Sequence, residues 1–90
     1  MTVKEFWHLK YGTIVEDPCA VQGWGWKGKV IKREVIDEWT GELFISKTRT
    51  IAPTTGRKIL EITFEVGKDD YRYLQSNRIK DIQNLKIVTE

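Results

Sequence analysis

The segment from Gly23 to Val30 has the residue types of a phosphate-binding loop. Its glycine spacing matches the pattern that covers phosphates in protein kinases and, over its first six residues, the dinucleotide-binding fingerprint. A dinucleotide site needs a helix after the loop, and β-branched residues follow here instead. A kinase site needs a catalytic loop and a metal-binding aspartate, for which 90 residues leave no room. The segment therefore predicts a flexible glycine loop that leads into a strand.

Two tryptophans in this loop indicate a different chemistry. Trp24 and Trp26 flank Gly25, and Lys27 and Lys29 follow them. A nucleic-acid base can stack on an exposed indole ring and gain roughly 1–3 kcal/mol, while nearby lysines attract phosphate. The alternative is that at least one of the two rings packs in the core.

Three arginines are the best candidates for a specific anion site, because a guanidinium can contact phosphate through two hydrogen bonds and can stack on a ring. Arg72 lies between Tyr71 and Tyr73, so in a strand it points away from both rings. The alternative is that the arginines pair with carboxylates of neighbouring strands. The predicted ligand-binding residues are Trp24, Trp26, Lys27, Lys29, Arg49, Arg72 and Arg78.

The formal charge of +2 conceals an uneven distribution of charges. Residues 24–33 and 46–58 carry lysines and arginines but no acid, whereas acids gather at 34–42 and at 69–70. If the two basic windows fold onto one face, they form an electrostatic footprint for phosphate. The alternative is that they are the solvated faces of two strands.

No set of residues has the composition of a catalytic centre. The chain has one histidine, His8, and one cysteine, Cys19, so a triad or a zinc site would have to use these with carboxylates. The two serines, Ser46 and Ser76, do not lie in a nucleophile elbow. We therefore predict a protein that is not an enzyme and that uses no metal or cofactor.

The segments that contain the predicted ligand-binding residues are predicted to be mostly strands. Apolar and polar residues alternate from Leu60 to Val66, which is typical of a strand with one buried face. Turns are predicted at 40–41, 53–56 and 67–70, and one helical turn capped by Ser76 is predicted at 76–82. The predicted strands cover 29–39 and 42–51 (a hairpin about Thr40-Gly41), 60–66, 71–75 and 85–88, with one or two more around 3–9 and 12–15.

Short antiparallel strands at this spacing predict an all-β fold. The expected architecture is a small SH3-like or Sm-like barrel of five or six strands, closed or nearly closed, forming a single domain over residues 1–90. An open meander is the alternative, and it would leave long edge strands unpaired.

Cysteine usage and hydropathy bear on the compartment. Cys19 has no partner for a disulfide within the sequence, which also shows no secretory n-region and no apolar run approaching 18 residues. We therefore expect a soluble, cytoplasmic protein with no membrane partner.

Landmarks in residues 40–82 resemble, in the same order, those of the WYL domain. They are Thr40-Gly41-Glu42, Arg49 to Pro53, Gly56 to Leu60, Asp70 to Leu74, and Arg78-Ile79. The WYL domain is an Sm-like SH3 barrel of bacterial transcription regulators and phage-defence proteins, taken to sense nucleic-acid or nucleotide ligands. The resemblance implies that Arg49, Arg72 and Arg78 contact the ligand. Lys58-Ile59-Leu60 stands where the family has Trp-Tyr-Leu.

Two functional hypotheses follow. The first is a regulatory binding module whose basic, Trp-bearing face accepts nucleic acid or a nucleotide. The second is an adaptor or inhibitor that docks on a larger protein through an edge strand or the Trp24/Trp26 loop. Pairing of free edges would also permit a homo-oligomer. The salt dependence of binding distinguishes the two hypotheses. Binding to phosphate weakens steeply as the ionic strength rises, whereas binding through an aromatic or edge-strand interface weakens much less.

Overall fold

The computed structural model describes residues 1–18 and 25–88, which form short helices and antiparallel strands. Helix α1 spans Val3–Trp7 and helix α2 spans Ile79–Ile82. The strands are β1 Ile14–Asp17, β2 Trp26–Trp39, β3 Phe44–Ile45, β4 Thr50–Ile51, β5 Thr54–Gly67, β6 Asp70–Gln75 and β7 Lys86–Ile87. A small, mostly β fold with only short helices is therefore confirmed.

Five of the strands form one antiparallel sheet in the order β6-β5-β2-β1-β7. Its edges are β6 and β7, and these do not pair with each other. Within the described residues the sheet is thus open, and the predicted barrel is not closed. The covering layer comes instead from the helices, which pack on one face of the sheet.

The core lies between that face and the two helices. Leu60, Ile62 and Phe64 alternate along β5 and are buried, which confirms the predicted strand and its buried row. The full core cluster is Phe6, Leu9, Val15, Val30, Leu60, Ile62, Phe64, Ile82 and Leu85. Helical and sheet residues thus share one apolar cluster, while the opposite face of the sheet, here called the open face, carries lysines, glutamates and tyrosines.

A two-stranded arm projects from the rest of the fold, which is here called the head. β1 pairs with β2 only over residues 26–29, and β6 pairs with β5 only over residues 61–67. Residues 35–59, here called the arm, extend beyond both neighbours and end in the β3–β4 hairpin. The arm accounts for an elongated shape of 51 × 26 × 23 Å.

The predicted N-terminal strand at Val3–Leu9 is wrong, because this segment begins with helix α1. Thr2 and Glu5 form a capping box, in which each side chain accepts a hydrogen bond from the other residue's backbone N–H at 3.1 Å. Phe6 and Leu9, three residues apart, then both face the core.

The predicted hairpin about Thr40-Gly41 is also wrong. Trp39 lies opposite Thr54, so β2 pairs with β5 rather than with the next segment. Residues 42–51 fold back on themselves as β3 and β4. Residues 54–56 of the turn predicted at 53–56 lie within β5 instead, where Gly56 adopts a φ of +86° at an irregularity in the pairing.

Near the C-terminus the strand at 71–75, the turn at 67–70 and a helical turn are confirmed. The predicted cap is not, because Ser76 does not begin α2. Its hydroxyl accepts a 3.0 Å hydrogen bond from the Leu60 N–H and thereby continues the pairing of β5 with β6.

Candidate binding surfaces

The arm exposes an unusual number of large apolar side chains. These are Val35, Trp39, Leu43, Phe44, Ile45 and Ile51. Ile45 is 79% exposed and Phe44 57%, so nothing in residues 1–18 and 25–88 covers either side chain. Because these side chains are exposed and lie outside the core cluster, they contribute little to the packing of the core.

The end of the arm, residues 43–51 and here called the arm tip, is apolar on both faces. Phe44 lies opposite Ile51, so these two side chains share one face of the ribbon. Ile45 lies opposite Thr50 and points to the other face. Such a hairpin presents apolar surface in two directions rather than one.

Hydrogen bonds define the turn of the arm tip. The Ser46 hydroxyl accepts from the N–H of Arg49 at 3.1 Å and from that of Thr48 at 3.4 Å, and the Ser46 N–H donates to the Arg49 carbonyl at 2.9 Å. The indole Nε1 of Trp39 donates to the Glu42 carbonyl at 2.7 Å. The tip is therefore preorganised, which reduces the entropy that would be lost when a partner binds.

The arm tip is also cationic. Residues 43–58 contain no acid, and their lysines and arginines form the second basic window of the sequence. Lys58 forms an ion pair with Asp37, directly opposite it in β2. Lys47 and Arg49 lie at the tip, where both are exposed.

The open face of the sheet contains a second arrangement. Lys32 lies opposite Thr63 and Thr63 opposite Tyr73, so these three residues form a row across β2, β5 and β6. Lys29, Glu65 and Tyr71 form a parallel row. Residues directly opposite in a sheet point to the same face, so both tyrosines and both lysines lie on the open face.

A shallow cavity lies along the first row. It has a volume of about 250 Å³ and is lined by Ile31, Lys32, Glu61, Thr63, Tyr71 and Tyr73. Thr63 is only 7% exposed, whereas Tyr71 and Tyr73 are 39% and 63% exposed. Ile31 occupies a bulge in β2, a place where sheets often redirect a side chain.

Of the two tryptophans predicted to stack on bases, the structure describes Trp26. Trp24 lies outside the described residues. Trp26 is half-buried, and its ring lies 5.3 Å from that of Phe64, centroid to centroid, at an angle of 52°. Its ring therefore packs against the core, as the alternative interpretation held.

The predicted cations are distributed over several surfaces. Lys27 and Lys29 lie together on the open face. Arg72 lies opposite Phe64, on the opposite face from the two tyrosines, and Arg78 lines a cavity with Tyr73. Arg49 lies in the arm tip, whereas Arg72 lies in β6, so the structure does not place these two arginines in one element.

The two basic windows consequently do not combine into one surface. Lys27, Lys29 and Lys32 face outward on the head, whereas the second window follows the arm. Arg33 has a structural role, because its guanidinium donates to the Trp7 carbonyl and so fastens α1 to β2.

The sequence does not predict a surface at Tyr71–Tyr73 or at the apolar arm tip. The run Leu43-Phe44-Ile45 between Gly41 and Lys47 was the available signal for the tip. Apolar residues of this kind favour sheets, so the run by itself predicts the interior of a strand.

The described residues contain no arrangement that would hold a metal. In residues 1–18 and 25–88 no three His, Cys, Asp or Glu side chains come together as a metal site requires. No helix in the same ranges is both long and apolar enough to cross a membrane.

Comparison with known proteins finds no family model, no curated protein and no solved structure that matches this chain. The resemblance to the WYL domain therefore stays a prediction.

Proposed function

We propose that this chain is a non-catalytic protein-interaction module that docks by inserting its arm tip into an apolar cleft of a larger protein. The observation that carries this proposal is the exposure of Leu43, Phe44 and Ile45 at the end of a ribbon that the head does not cover. Large exposed apolar patches on a folded protein mark interaction sites.

The shape of the arm tip favours a cleft over a flat surface. Phe44 and Ile51 lie on one face of the ribbon and Ile45 on the other. A flat partner would cover one face and leave the other in water. A cleft would contact both faces of the ribbon. Because hydrogen bonds already order the turn at Ser46, little further entropy would be lost when the tip enters the cleft.

The charges specify the chemistry of the partner. Lys47 and Arg49 flank the apolar residues, and no acid lies within the tip. Carboxylates at the rim of the cleft would complement them and would accelerate association. A second copy of the chain is a poorer partner, because two tips in contact would bring these cations against each other.

The proposed docking element is the arm tip, in place of the edge strand or the Trp24/Trp26 loop of the second hypothesis. Trp26 packs on Phe64 and so offers little of its ring to a partner. The exposed rings on β6, those of Tyr71 and Tyr73, are phenols with a polar hydroxyl, whereas Leu43, Phe44 and Ile45 of the arm tip are wholly apolar.

The test compares complexes purified from the cells that produce the protein. The double variant Phe44→Ser/Ile45→Ser removes the apolar tip, and Tyr11→Ser/Ile79→Ser is the matched control on the head, where Tyr11 is 63% and Ile79 62% exposed. We expect one discrete complex with a different protein in the wild type and in the control, and its loss in the tip variant. Retention of the complex in a folded tip variant, or a homo-oligomer alone, would overturn the proposal.

A further inference from the structure

We propose that the open face of the head binds single-stranded nucleic acid, with Tyr71 and Tyr73 stacking on bases and Lys29 and Lys32 holding phosphates. This function is separate from docking through the arm, since the residues belong to different parts of the molecule.

The two tyrosines are spaced as a stacking platform. They are two positions apart on β6, so their side chains leave the same face of the strand about 7 Å apart. Both are exposed, and no helix of the described residues covers them. On such a sheet face, each exposed aromatic side chain can stack on one unpaired base, whatever the identity of that base.

Each lysine lies two strands away from the tyrosine of its row. Neighbouring strands are about 4.8 Å apart, so the lysine and the tyrosine of one row are about 10 Å apart at their Cα atoms. Thr63 separates Lys32 from Tyr73, and Glu65 separates Lys29 from Tyr71. A base on the ring then places its sugar-phosphate backbone above β5 and within reach of the flexible lysine side chain.

The row of Lys32 is the more favourable of the two. Its central residue, Thr63, is uncharged and forms part of the floor of the cavity beside the Tyr73 ring. The ion pair between Lys32 and Glu34 is 3.6 Å long and well exposed, so it resists replacement by a phosphate only weakly. Arg78 lines a second cavity with Tyr73, but Glu61 and Asp81 line it too, so this cation adds little net positive charge near the ring.

The balance of charges favours a single strand held mainly by stacking. Glu61 and Glu65 share the face with the lysines, so the surface lacks the continuous positive potential that a duplex backbone would need. Duplex bases are also already stacked and cannot reach the tyrosines. The salt dependence should accordingly be shallow, with a log–log slope of roughly −1.4 for two phosphate contacts.

The test is a fluorescence anisotropy titration with labelled oligo(dT) and oligo(U) at about 50 mM and about 200 mM salt. We expect saturable binding, a decrease of about sevenfold between the two salt concentrations, and a loss of roughly tenfold or more for each of Tyr71→Ala and Tyr73→Ala. The variants Tyr71→Phe and Tyr73→Phe keep the rings and should bind within about threefold of the wild type.

Matched controls separate this site from non-specific attraction. Tyr11→Ala removes an equally exposed tyrosine, one that precedes β1 and contacts β2 rather than β6. Lys4→Gln/Lys80→Gln removes two charges from the helices, whereas Lys29→Gln/Lys32→Gln should flatten the salt dependence. Absence of binding at low salt, or equal losses in the site and control variants, would overturn the proposal and would leave docking through the arm unaffected.

Discussion

The side-chain amide of Asn77 donates a 2.8 Å hydrogen bond to Oε2 of Glu38. Asn77 lies in the loop before α2 and Glu38 lies in the arm, so this bond joins the arm to the head. The Thr55 hydroxyl donates to the same carboxylate at 3.0 Å. Together these bonds hold the pKa of Glu38 below its ordinary value of 4.5, with Asn77 as the larger cause.

We predict that Asn77→Ala raises the pKa of Glu38 towards 4.5. A carboxyl with a lowered pKa in the folded state stabilises the fold above its unfolded pKa, and that contribution is lost as the pH falls through the folded pKa. Attachment of the arm should therefore loosen in acid below about pH 4.5. An NMR titration of the Glu38 carboxyl measures this, and Glu5, whose pKa Thr2 lowers at the other end of the chain, is the internal control. An unchanged Glu38 titration in the variant would show that Asn77 does not hold the arm.

Gly28 should resist substitution, because β2 passes very close to β5 at this point. A Cβ at Gly28 would lie 2.9 Å from the Phe64 Cβ and 3.2 Å from the Trp26 ring. We expect Gly28→Ala to lower the free energy of unfolding by about 1–3 kcal/mol, measured by urea denaturation. Gly67→Ala in β5 is the control, since its nearest neighbour would be 3.9 Å away. Equal stabilities of the two variants would contradict this packing.

The arm tip should contribute little to the stability of the head. Phe44→Ser/Ile45→Ser changes side chains that are exposed in the free protein, so the free energy of unfolding should shift by about 0.5 kcal/mol or less. Phe6→Ala, at a fully buried position, should lower it by about 3–5 kcal/mol. A large loss of thermal stability in the tip variant would mean that the tip packs within the chain and is not free for a partner.

Ser46 should control the order of the arm tip. Ser46→Ala removes the acceptor for the N–H groups of Thr48 and Arg49, so both amides should exchange with deuterium faster while amides of the head are unchanged. Thr50→Ala, in the strand that follows, is a control that leaves this acceptor in place. Unaltered exchange in Ser46→Ala would show that the turn does not depend on the hydroxyl.

The parts of the fold that the sequence predicts correctly depend on local pattern. Alternation from Leu60 to Val66 fixes the buried row of β5, and the position of Arg72 between two tyrosines fixes its face. Both follow from the two-residue period of a strand, which does not depend on its partners. The mostly β class of the fold and the turn at 67–70 are also predicted from local pattern.

The parts of the fold that the sequence does not predict depend on pairing and packing between residues far apart in the chain. Nothing local to Trp39 shows that its partner is Thr54, because the intervening hairpin of β3 and β4 also reads as strand. The local sequence does not determine which face of the sheet Trp26 occupies, because this depends on its contact with the ring of Phe64. At the N-terminus the capping box of Thr2 and Glu5 was a readable signal, but the β-branched and aromatic residues beside it favoured a strand.

The most direct test of docking through the arm is site-specific photo-cross-linking in the producing cells, with the photoreactive residue at position 45, where the native side chain is 79% exposed. The same residue at position 11, on the head, is the control. We predict one adduct to a different protein from position 45, with the cross-linked site in an apolar cleft bordered by carboxylates, and its weakening by Lys47→Glu/Arg49→Glu. Adducts only between copies of this chain, or the same adducts from positions 45 and 11, would contradict the account.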